Sequence, residues 1–392
     1  MAKVKITFWR VVLVLLLAAG AYATILRFFR GLGASTNLTD AFPWGIWIGF
    51  DVMCGVMLAA GGFTLTAAVY LFNMKKFKPI VRPTVLTAFL GYQLVVVALL
   101  FDLGRSYRIW HPLVMWNPHS VMFEVAWCVT LYSIVLSLEF GGVLFERFHL
   151  YKLLHIQKMM LIPLVIAGVL LSTLHQSSLG SLYLIVPNKL YPYWYSPIMP
   201  VLFFLSAICV GLAMTIFESS MSAKHFGKQL ELPLIQSLGR TLLVMLSIYA
   251  VVRLEDLLHR GALRLLAIPN METGLFVMEM ILASILPITL LLVPKVRRSA
   301  KGLYLAAVFS LLGFVTNRMN VATTGMERAA GQHYFPKWTE LAVTFGIIAF
   351  GFFVFALAVK YLPIFSHEEV PEPSAEPEML GEEIPELSNV ET

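Results

Sequence analysis

Charged residues are scarce in this sequence of 392 residues: Asp, Glu, Lys and Arg make up 13% of it, about half of the ~25% usual in soluble domains. Hydrophobic residues make up 58%, more apolar surface than one water-soluble core can hide. This balance excludes a soluble enzyme, a nucleic-acid-binding protein and a fibrous protein. The apolar runs are continuous and do not alternate with period two, which excludes a membrane-spanning β-barrel. The composition therefore predicts an all-α integral membrane protein.

Cysteine is also rare, and no two of Cys54, Cys128 and Cys209 form a CxxC pair. This excludes a disulfide framework and a zinc or iron–sulfur site held by this chain alone. A c-type haem is excluded because CxxCH is absent. Among the nine histidines, His175 alone lies deep in an apolar run, whereas a b-type haem needs two axial ligands at matched depth. We therefore expect no haem or iron–sulfur cluster in this chain.

Ten apolar runs, each about 20 residues long, predict ten membrane-spanning helices. Their approximate bounds are 11–26, 43–72, 83–102, 119–145, 156–183, 195–217, 234–258, 271–294, 302–322 and 339–362. No small-residue cleavage site follows the first run, so we interpret it as a span and not as a signal peptide. Residues 1–366 are expected to form one polytopic membrane domain. Residues 367–392 hold nine Glu and no Lys or Arg, which predicts a disordered acidic tail.

The loops between the predicted spans differ in their basic residues. Loops on the side of the N-terminus carry 17 Lys and Arg, and loops on the opposite side carry 10. Short cytoplasmic loops carry the basic excess, so both termini are expected in the cytoplasm of a bacterial inner membrane. Six tryptophans lie toward the other face: Trp44, Trp47, Trp110, Trp116, Trp194 and Trp338. We call that face the tryptophan end, which is typical of interfacial aromatics or of a docking surface, and its opposite the basic end.

A weak internal repeat relates the middle spans. LFDLGR (100–105) ends the third span and VVRLED (251–256) ends the seventh. Asp102 and Asp256 are 154 residues apart, and Glu124 and Glu279 are 155 apart. Matching offsets on matching spans predict two tandem four-helix bundles, spans 2–5 and 6–9, flanked by spans 1 and 10. Chance similarity between apolar segments is the alternative.

Several ionisable residues lie inside or at the ends of these spans, where a charge costs about 2.5–3.5 kcal/mol on insertion scales. The set is Asp51, Asp102, Arg105, Glu124, Glu139, His175, Glu218, Arg253, Asp256 and Glu279. Such residues usually face the protein interior or water, and they often mark a functional site. Asp102–Arg105 and Arg253–Asp256 have i,i+3 spacing, so we expect them to form structural ion pairs.

The remaining carboxylates suggest a route for protons. Glu124 and Glu279 have no cation nearby in sequence. Glu124 and Glu139 are separated by about 22 Å along one helix and by about 60° around it. With His175 at intermediate depth and Glu218 at the basic end, these groups could form an interrupted proton path completed by water.

His175 lies in the polar segment LSTLHQSSLGS (171–181) of an otherwise apolar helix. A single histidine in a membrane helix is often a packing residue with its hydrogen bonds satisfied. Here the flanking donors, Gln176 among them, and the nearby carboxylates favour another role. The ring suits hydrogen bonding to a quinone carbonyl and exchange of a proton.

A set of motifs gives the chain a resemblance to a known family. The motifs are FPWGIWIGFD (42–51), AAGGF (59–63), VRP (81–83), DLGR (102–105), HSVMFE (119–124), LEF (138–140), LHQSSLGS (174–181), IFE (216–218) and YFPKWTE (334–340). Together they resemble the NrfD-like membrane subunits, including the HybB-type hydrogenase branch and the Hmc-type cytochrome-complex branch. The resemblance extends from about residue 42 to residue 363.

The resemblance implies a haem-free subunit of two four-helix bundles that binds menaquinone near the periplasmic face. It implies electron exchange with a periplasmic four-cluster ferredoxin-like subunit, linked to a hydrogenase or to a multihaem cytochrome. The family's functional positions correspond to Asp51, Glu124, His175 and Glu218. NRMN (317–320) resembles the cytochrome-linked branches more than the hydrogenase branch, which leaves the catalytic partner open.

The motifs and the resemblance together give two sets of candidate residues. The candidate quinone-binding residues are Asp51, Arg105, Glu124, His175 and Gln176. The candidate proton path is Glu124, His175, Glu139, Glu218 and Glu279. The lipid bilayer is the remaining expected partner, and the sequence leaves proton translocation open.

A secondary transporter without a redox role is the alternative, because tandem repeats and polar groups inside the membrane also occur in transporters. Two features argue against it. The titratable groups cluster near one face, and no span has the Gly/Pro break of a discontinuous helix.

Overall fold

The computed structural model describes residues 7–226 and 231–364, and the predicted tail at 367–392 lies outside these ranges. The described residues form helices and contain no β-strand. Ten long helices make up the fold. They are α1 (Phe8–Arg30), α2 (Trp47–Leu71), α3 (Lys78–Asp102), α4 (Val121–Arg147), α5 (Tyr151–Ser181), α6 (Met199–Phe226), α7 (Leu232–His259), α8 (Met271–Leu292), α9 (Ala300–Ala330) and α10 (Trp338–Tyr361).

Nine of these helices in the described chain are long and apolar enough to cross a membrane, which confirms the multi-pass helical class. The exception is α7, at the position of the seventh predicted span. Its 28 residues exceed the length that a crossing needs. It carries Arg240, Arg253, Glu255 and Asp256, which lower its mean hydropathy.

The helices pack as two four-helix units with a flanking pair, as the sequence repeat predicts. Helices α2–α5 contact one another, and so do α6–α9, while α1 packs against α10. At the α1–α10 crossing, a Cβ on Gly20 would meet the Cα of Gly346 at 2.9 Å. Two glycines therefore allow the backbones to touch, as in small-residue crossings of membrane helices.

The two units meet along α6, which packs against α5 and crosses α2, the first helix of the other unit. A Cβ on Gly211 would lie 2.9 Å from the backbone of Ala60 and Gly61, and a Cβ on Gly61 would lie 3.1 Å from the Gly211 carbonyl oxygen. The AAGGF motif thus forms a close helix crossing. It brings the two units into direct backbone contact.

Four segments inside the spans are wound as π-helix: Trp47–Cys54, Ala67–Leu71, Ile281–Ile285 and Asn320–Thr324. The first contains Asp51 and the last contains Asn320. Turns of this kind are rare and often occur at functional sites. They shift the register of these two polar side chains relative to a regular helix.

Side-chain caps fix where two functional helices begin. Ser120, from HSVMFE, accepts a hydrogen bond from the Phe123 amide and starts α4. Asn270 accepts from the Thr273 amide at 2.8 Å and starts α8. These caps set the positions of Glu124 and Glu279 along their helices.

Candidate functional site

His175 lies at the centre of a buried polar cluster between α3, α4 and α5. Its side chain is fully buried, and its Nδ1 lies 3.1 Å from the hydroxyl oxygen of Tyr92 on α3. The Tyr92 ring packs edge-on against Tyr132 of α4, with 4.5 Å between the ring centroids. Ser172 lies on the same face of α5 as His175, because residues three apart are neighbours on a helix, and Gln176, also fully buried, follows His175 directly in the chain. We call these five residues the His175 cluster.

Several polar atoms of the His175 cluster have no hydrogen-bond partner in the described chain. They are His175 Nε2, Ser172 Oγ, Gln176 Oε1 and Tyr132 Oη. The amide nitrogen of Gln176 is used, since it donates to the Val56 carbonyl oxygen at 3.2 Å. An unsatisfied buried polar group costs about 1–3 kcal/mol. The Ser172 hydroxyl lies near both tyrosine hydroxyls. His175 Nε2 and Gln176 Oε1 therefore indicate most clearly a place that accepts water or a polar ligand.

More buried atoms without a partner lie toward the basic end. They are Glu139 Oε1 on α4, Thr87 Oγ1 on α3, and both carboxylate oxygens of Glu218 on α6. Thr87 and Glu218 lie close enough to interact with each other. Tyr132 lies seven residues before Glu139 on α4, which is about 10 Å along the helix. Tyr132 therefore occupies the gap between His175 and Glu139 that the sequence left open.

Two other candidate residues lie on the surface of the tryptophan end. Glu124, in the first turn of α4, and Arg105, just beyond α3, are both exposed. The predicted Asp102–Arg105 pair is not among the ion pairs of residues 7–226. Helix α3 ends at Asp102, and the extended backbone at Leu103 breaks the i,i+3 spacing. Arg27 of α1 flanks Asp102 instead, donating to the Phe101 and Leu103 carbonyl oxygens at 2.7 and 2.8 Å.

Asp51 is held by a different helix from the one that carries His175. Its side chain is buried, and its Oδ2 accepts a hydrogen bond of 2.8 Å from Thr344 on α10. The structure thus brings His175 and Gln176 into one cluster, leaves Glu124 and Arg105 on the surface, and directs Asp51 toward α10.

Glu340 links two of the motifs that carry the resemblance. Its carboxylate accepts hydrogen bonds from the Tyr334 hydroxyl at 2.6 Å and from the amides of Asn37 and Lys337 at 2.9 and 2.8 Å. Its backbone carbonyl accepts from the Trp47 indole at 3.2 Å. Burial and the bond to Glu340 raise the pKa of Tyr334, which keeps that hydroxyl protonated as a donor. FPWGIWIGFD and YFPKWTE therefore form one buried network.

Glu279 in the second unit is fully satisfied by neutral donors. Its carboxylate accepts from the Trp194 indole at 2.7 Å, from Asn317 at 2.7 Å and from Asn320 at 2.9 Å. Asn317 in turn accepts from Arg318 at 3.1 Å. This arrangement differs from that of Glu139 and Glu218, whose carboxylates include unpartnered atoms.

The predicted Arg253–Asp256 pair is present, with 3.8 Å between Nη1 and Oδ2. A second cation is closer: Arg260 donates to both carboxylate oxygens of Asp256, at 3.0 and 2.7 Å. Asp256 also accepts from the Ser196 hydroxyl at 2.6 Å. The aspartate is therefore engaged mainly by Arg260, and Arg253 is the weaker partner.

Sequence reasoning missed Tyr92, Tyr132 and Ser172, although they surround His175. Tyr92 and Tyr132 each lie in an apolar run, and nothing nearby in sequence marks them as facing a polar site. Ser172 was within reach, because it lies one helical turn before His175 in a segment already singled out. The two tyrosines come from other helices, so only the packing places them.

Known proteins match this chain over most of its length. Residues 34–330 match the family model described as Polysulphide reductase, NrfD. The chain belongs to the NrfD family. The matched range covers α2 to α9, which are the two four-helix units, and leaves out the flanking pair α1 and α10.

Three relatives align with this chain over most of the length of both proteins. A protein of Nitratidesulfovibrio vulgaris is 39% identical, covering 89% of this chain and 92% of its own. A probable Ni/Fe-hydrogenase 2 b-type cytochrome subunit of Escherichia coli is 34% identical, covering 86% and 87%. The integral membrane subunit of a menaquinone reductase of N. vulgaris is 30% identical, covering 93% of each chain. The resemblance read from the motifs is thereby confirmed.

Proposed function

We propose that this NrfD-family chain is the quinone-reactive membrane subunit of a respiratory redox complex in a bacterial inner membrane. It exchanges electrons between menaquinone and a periplasmic four-cluster iron–sulfur subunit. That subunit connects to a hydrogenase or a multihaem cytochrome. Both termini are cytoplasmic in this proposal, so the tryptophan end faces the periplasm.

The observation that carries the proposal is the His175 cluster. A fully buried imidazole has its Nδ1 held by Tyr92 and its Nε2 without a partner. Such a ring is held in one orientation and can donate or accept a hydrogen bond at one known atom. The names of the hydrogenase and menaquinone reductase relatives support the same role.

The donor set fits a quinone better than a haem. A quinone offers carbonyl oxygens that accept hydrogen bonds and take up protons on reduction, and the unpartnered atoms of the His175 cluster are suited to both. A b-type haem would need two histidine ligands. His175 is the one buried histidine in residues 7–226 and 231–364, so we propose that this chain carries no haem, whatever the name of the E. coli relative.

The proposed site has an outer and an inner layer. Glu124 and Arg105 are exposed at the tryptophan end, where they meet solvent and the quinone head group. His175 and Gln176 lie deeper, His175 being about 9 Å before the end of α5. Asp51, whose carboxylate is hydrogen-bonded to Thr344 of α10, lies outside these two layers. In this proposal the outer carboxylate exchanges protons with the periplasm, and the inner ring orients the quinone.

A proton path extends inward in the same proposal. Tyr132, Glu139 and Glu218 continue from His175 toward the basic end, with atoms that lack protein partners. Waters between them would complete the path. Both carboxylate oxygens of Glu279 accept hydrogen bonds from protein donors. In this proposal Glu279 therefore stabilises the second unit and is not part of the proton path.

Purification of the intact complex tests the proposal. We expect bound menaquinone in the extract and an iron–sulfur protein that co-purifies with this chain in fixed ratio. The transporter alternative predicts a stable chain that purifies without quinone and without partners. That result, obtained in mild detergent from membranes containing menaquinone, would reject the redox assignment.

A further inference from the structure

Two buried arginines of the second unit line one small cavity between α6, α7 and α9. Arg253 and Arg318 are 2% and 1% exposed. The cavity has a volume of about 10 Å³, close to the minimum space that one water needs. Its other walls include the aromatic rings of Trp194, Phe203 and Tyr249. A cavity of this size has room for one water, and a larger ion fits when the surrounding side chains shift outward.

Both guanidinium groups present an unused donor. In the described chain, the Nε of Arg253 and the Nε of Arg318 have no hydrogen-bond partner. The other donors of Arg318 are used, by Asn317 Oδ1, Ser206 Oγ and the Phe203 carbonyl oxygen. Arg253 Nη2 donates to the Tyr193 carbonyl oxygen at 2.7 Å. Two cationic N–H groups at one cavity call for an acceptor inside it.

The surrounding charges favour a negative occupant. The cluster contains three cations, Arg253, Arg260 and Arg318, and two carboxylates, Asp256 and Glu279. Asp256 is engaged by Arg260, and Glu279 reaches Arg318 only through Asn317. Arg253 lies 3.8 Å from Asp256, which it shares with Arg260, and Arg318 stacks 3.5 Å above the Phe203 ring. The cluster therefore carries one more positive than negative charge in an apolar setting, where excess charge is costly.

We propose that this cavity is a binding site for one small monovalent anion, of halide size, held between Arg253 and Arg318. The anion accepts hydrogen bonds from the two Nε groups and balances the cluster. Because the site lies in the second unit, it is separate from the quinone chemistry proposed for the His175 cluster. It stabilises the packing of α6, α7 and α9.

Bromide is the probe that locates the site. The intact complex is exchanged from chloride into gluconate and then into bromide, and its structure is determined with anomalous scattering at the bromine edge. We expect one peak between Arg253 and Arg318. A water or an empty cavity there, with no bromine signal at saturating bromide, would overturn the proposal.

Halide-dependent stability gives a second, independent readout. Thermal unfolding of the complex is measured against chloride at constant ionic strength set with gluconate, and a saturable rise in Tm is expected. Arg253→Gln should raise the chloride concentration that gives half of the Tm rise about tenfold or more, because one charge-assisted hydrogen bond is lost. Arg240→Gln, which removes a charge from an exposed position on α7, should leave it unchanged. The proposal is contradicted if the Tm of the wild-type complex does not depend on chloride. It is also contradicted if Arg253→Gln and Arg240→Gln weaken that dependence equally.

Discussion

At the scale of single residues, the pairing of Tyr92 with His175 decides which ring nitrogen is available. The Tyr92 hydroxyl occupies Nδ1 and leaves Nε2 without a partner in the described chain. Tyr92 therefore acts as a positioning residue in the proposed reaction. It fixes the orientation of the ring rather than touching the quinone.

Removing that hydroxyl should impair turnover without loss of the fold. We expect Tyr92→Phe to lower kcat of menaquinol-linked turnover about tenfold and to shift its pH profile, since the ring loses a hydrogen bond worth about 1 kcal/mol. KM for the quinone should change little. Tyr304→Phe on α9, whose hydroxyl contacts Met221, is the matched control. An unchanged pH profile in Tyr92→Phe would mean that Tyr92 has a packing role only.

Glu279 should matter for stability. Glu279→Gln puts an amide nitrogen against donors from Trp194, Asn317 and Asn320, so at least one buried donor loses its acceptor. We expect a loss of about 1–3 kcal/mol in unfolding free energy, measured as a lower Tm. Glu272→Gln, in the first turn of the same helix, should have little effect. Equal Tm values in both variants would refute this role.

At the scale of helices, hydrophobic run length was a sufficient guide to the fold. All ten predicted segments correspond to helices, including α7 despite its charges. Run length does not reveal the π-helical turns at Trp47–Cys54 and Asn320–Thr324. Those turns depend on how neighbouring helices pack, which apolar periodicity does not encode.

The α2–α6 crossing gives a prediction at this scale. Gly211→Ala places a methyl group 2.9 Å from the backbone of Ala60, so the two helices must separate. We expect a loss of about 1–3 kcal/mol from overpacking, measured by thermal unfolding of the detergent-purified complex. Gly274→Ala, on α8 with no atom near the added methyl, should be neutral or slightly stabilising. Similar Tm values for the two variants would contradict the close crossing.

At the scale of the whole molecule, the sequence predicted the ionisable residues of the candidate site better than their arrangement. His175 and Gln176 share a cluster, because they are adjacent in one helix and both are buried. Glu124 lies on the surface of α4, and Asp51 bonds to Thr344 of α10, and neither environment follows from the sequence of its own helix. Tyr132, which occupies the gap toward Glu139, comes from a helix pairing that a single sequence does not specify.

The path through the molecule predicts a response to membrane voltage. If Glu218 is the cytoplasmic entry, Glu218→Gln should slow turnover more in energised vesicles than in uncoupled ones. Moving one charge across 100 mV involves about 2.3 kcal/mol, so this step is sensitive to the field. Glu231→Gln, at the exposed start of α7, is the control. Equal slowing by Glu218→Gln in both kinds of vesicle would leave quinone chemistry at the tryptophan end without a transmembrane path.

The most direct test of the central claim measures menaquinone-linked turnover of the assembled complex in three variants. His175→Ala and Glu124→Gln should each reduce turnover about tenfold or more, the scale expected when a positioned proton-transfer group is lost. His155→Ala, on the exposed face of the same helix as His175, should retain the wild-type rate. Co-purification of the partner subunits verifies assembly in each case. Wild-type turnover in both His175→Ala and Glu124→Gln, with the complex intact, would contradict the assignment of the quinone site.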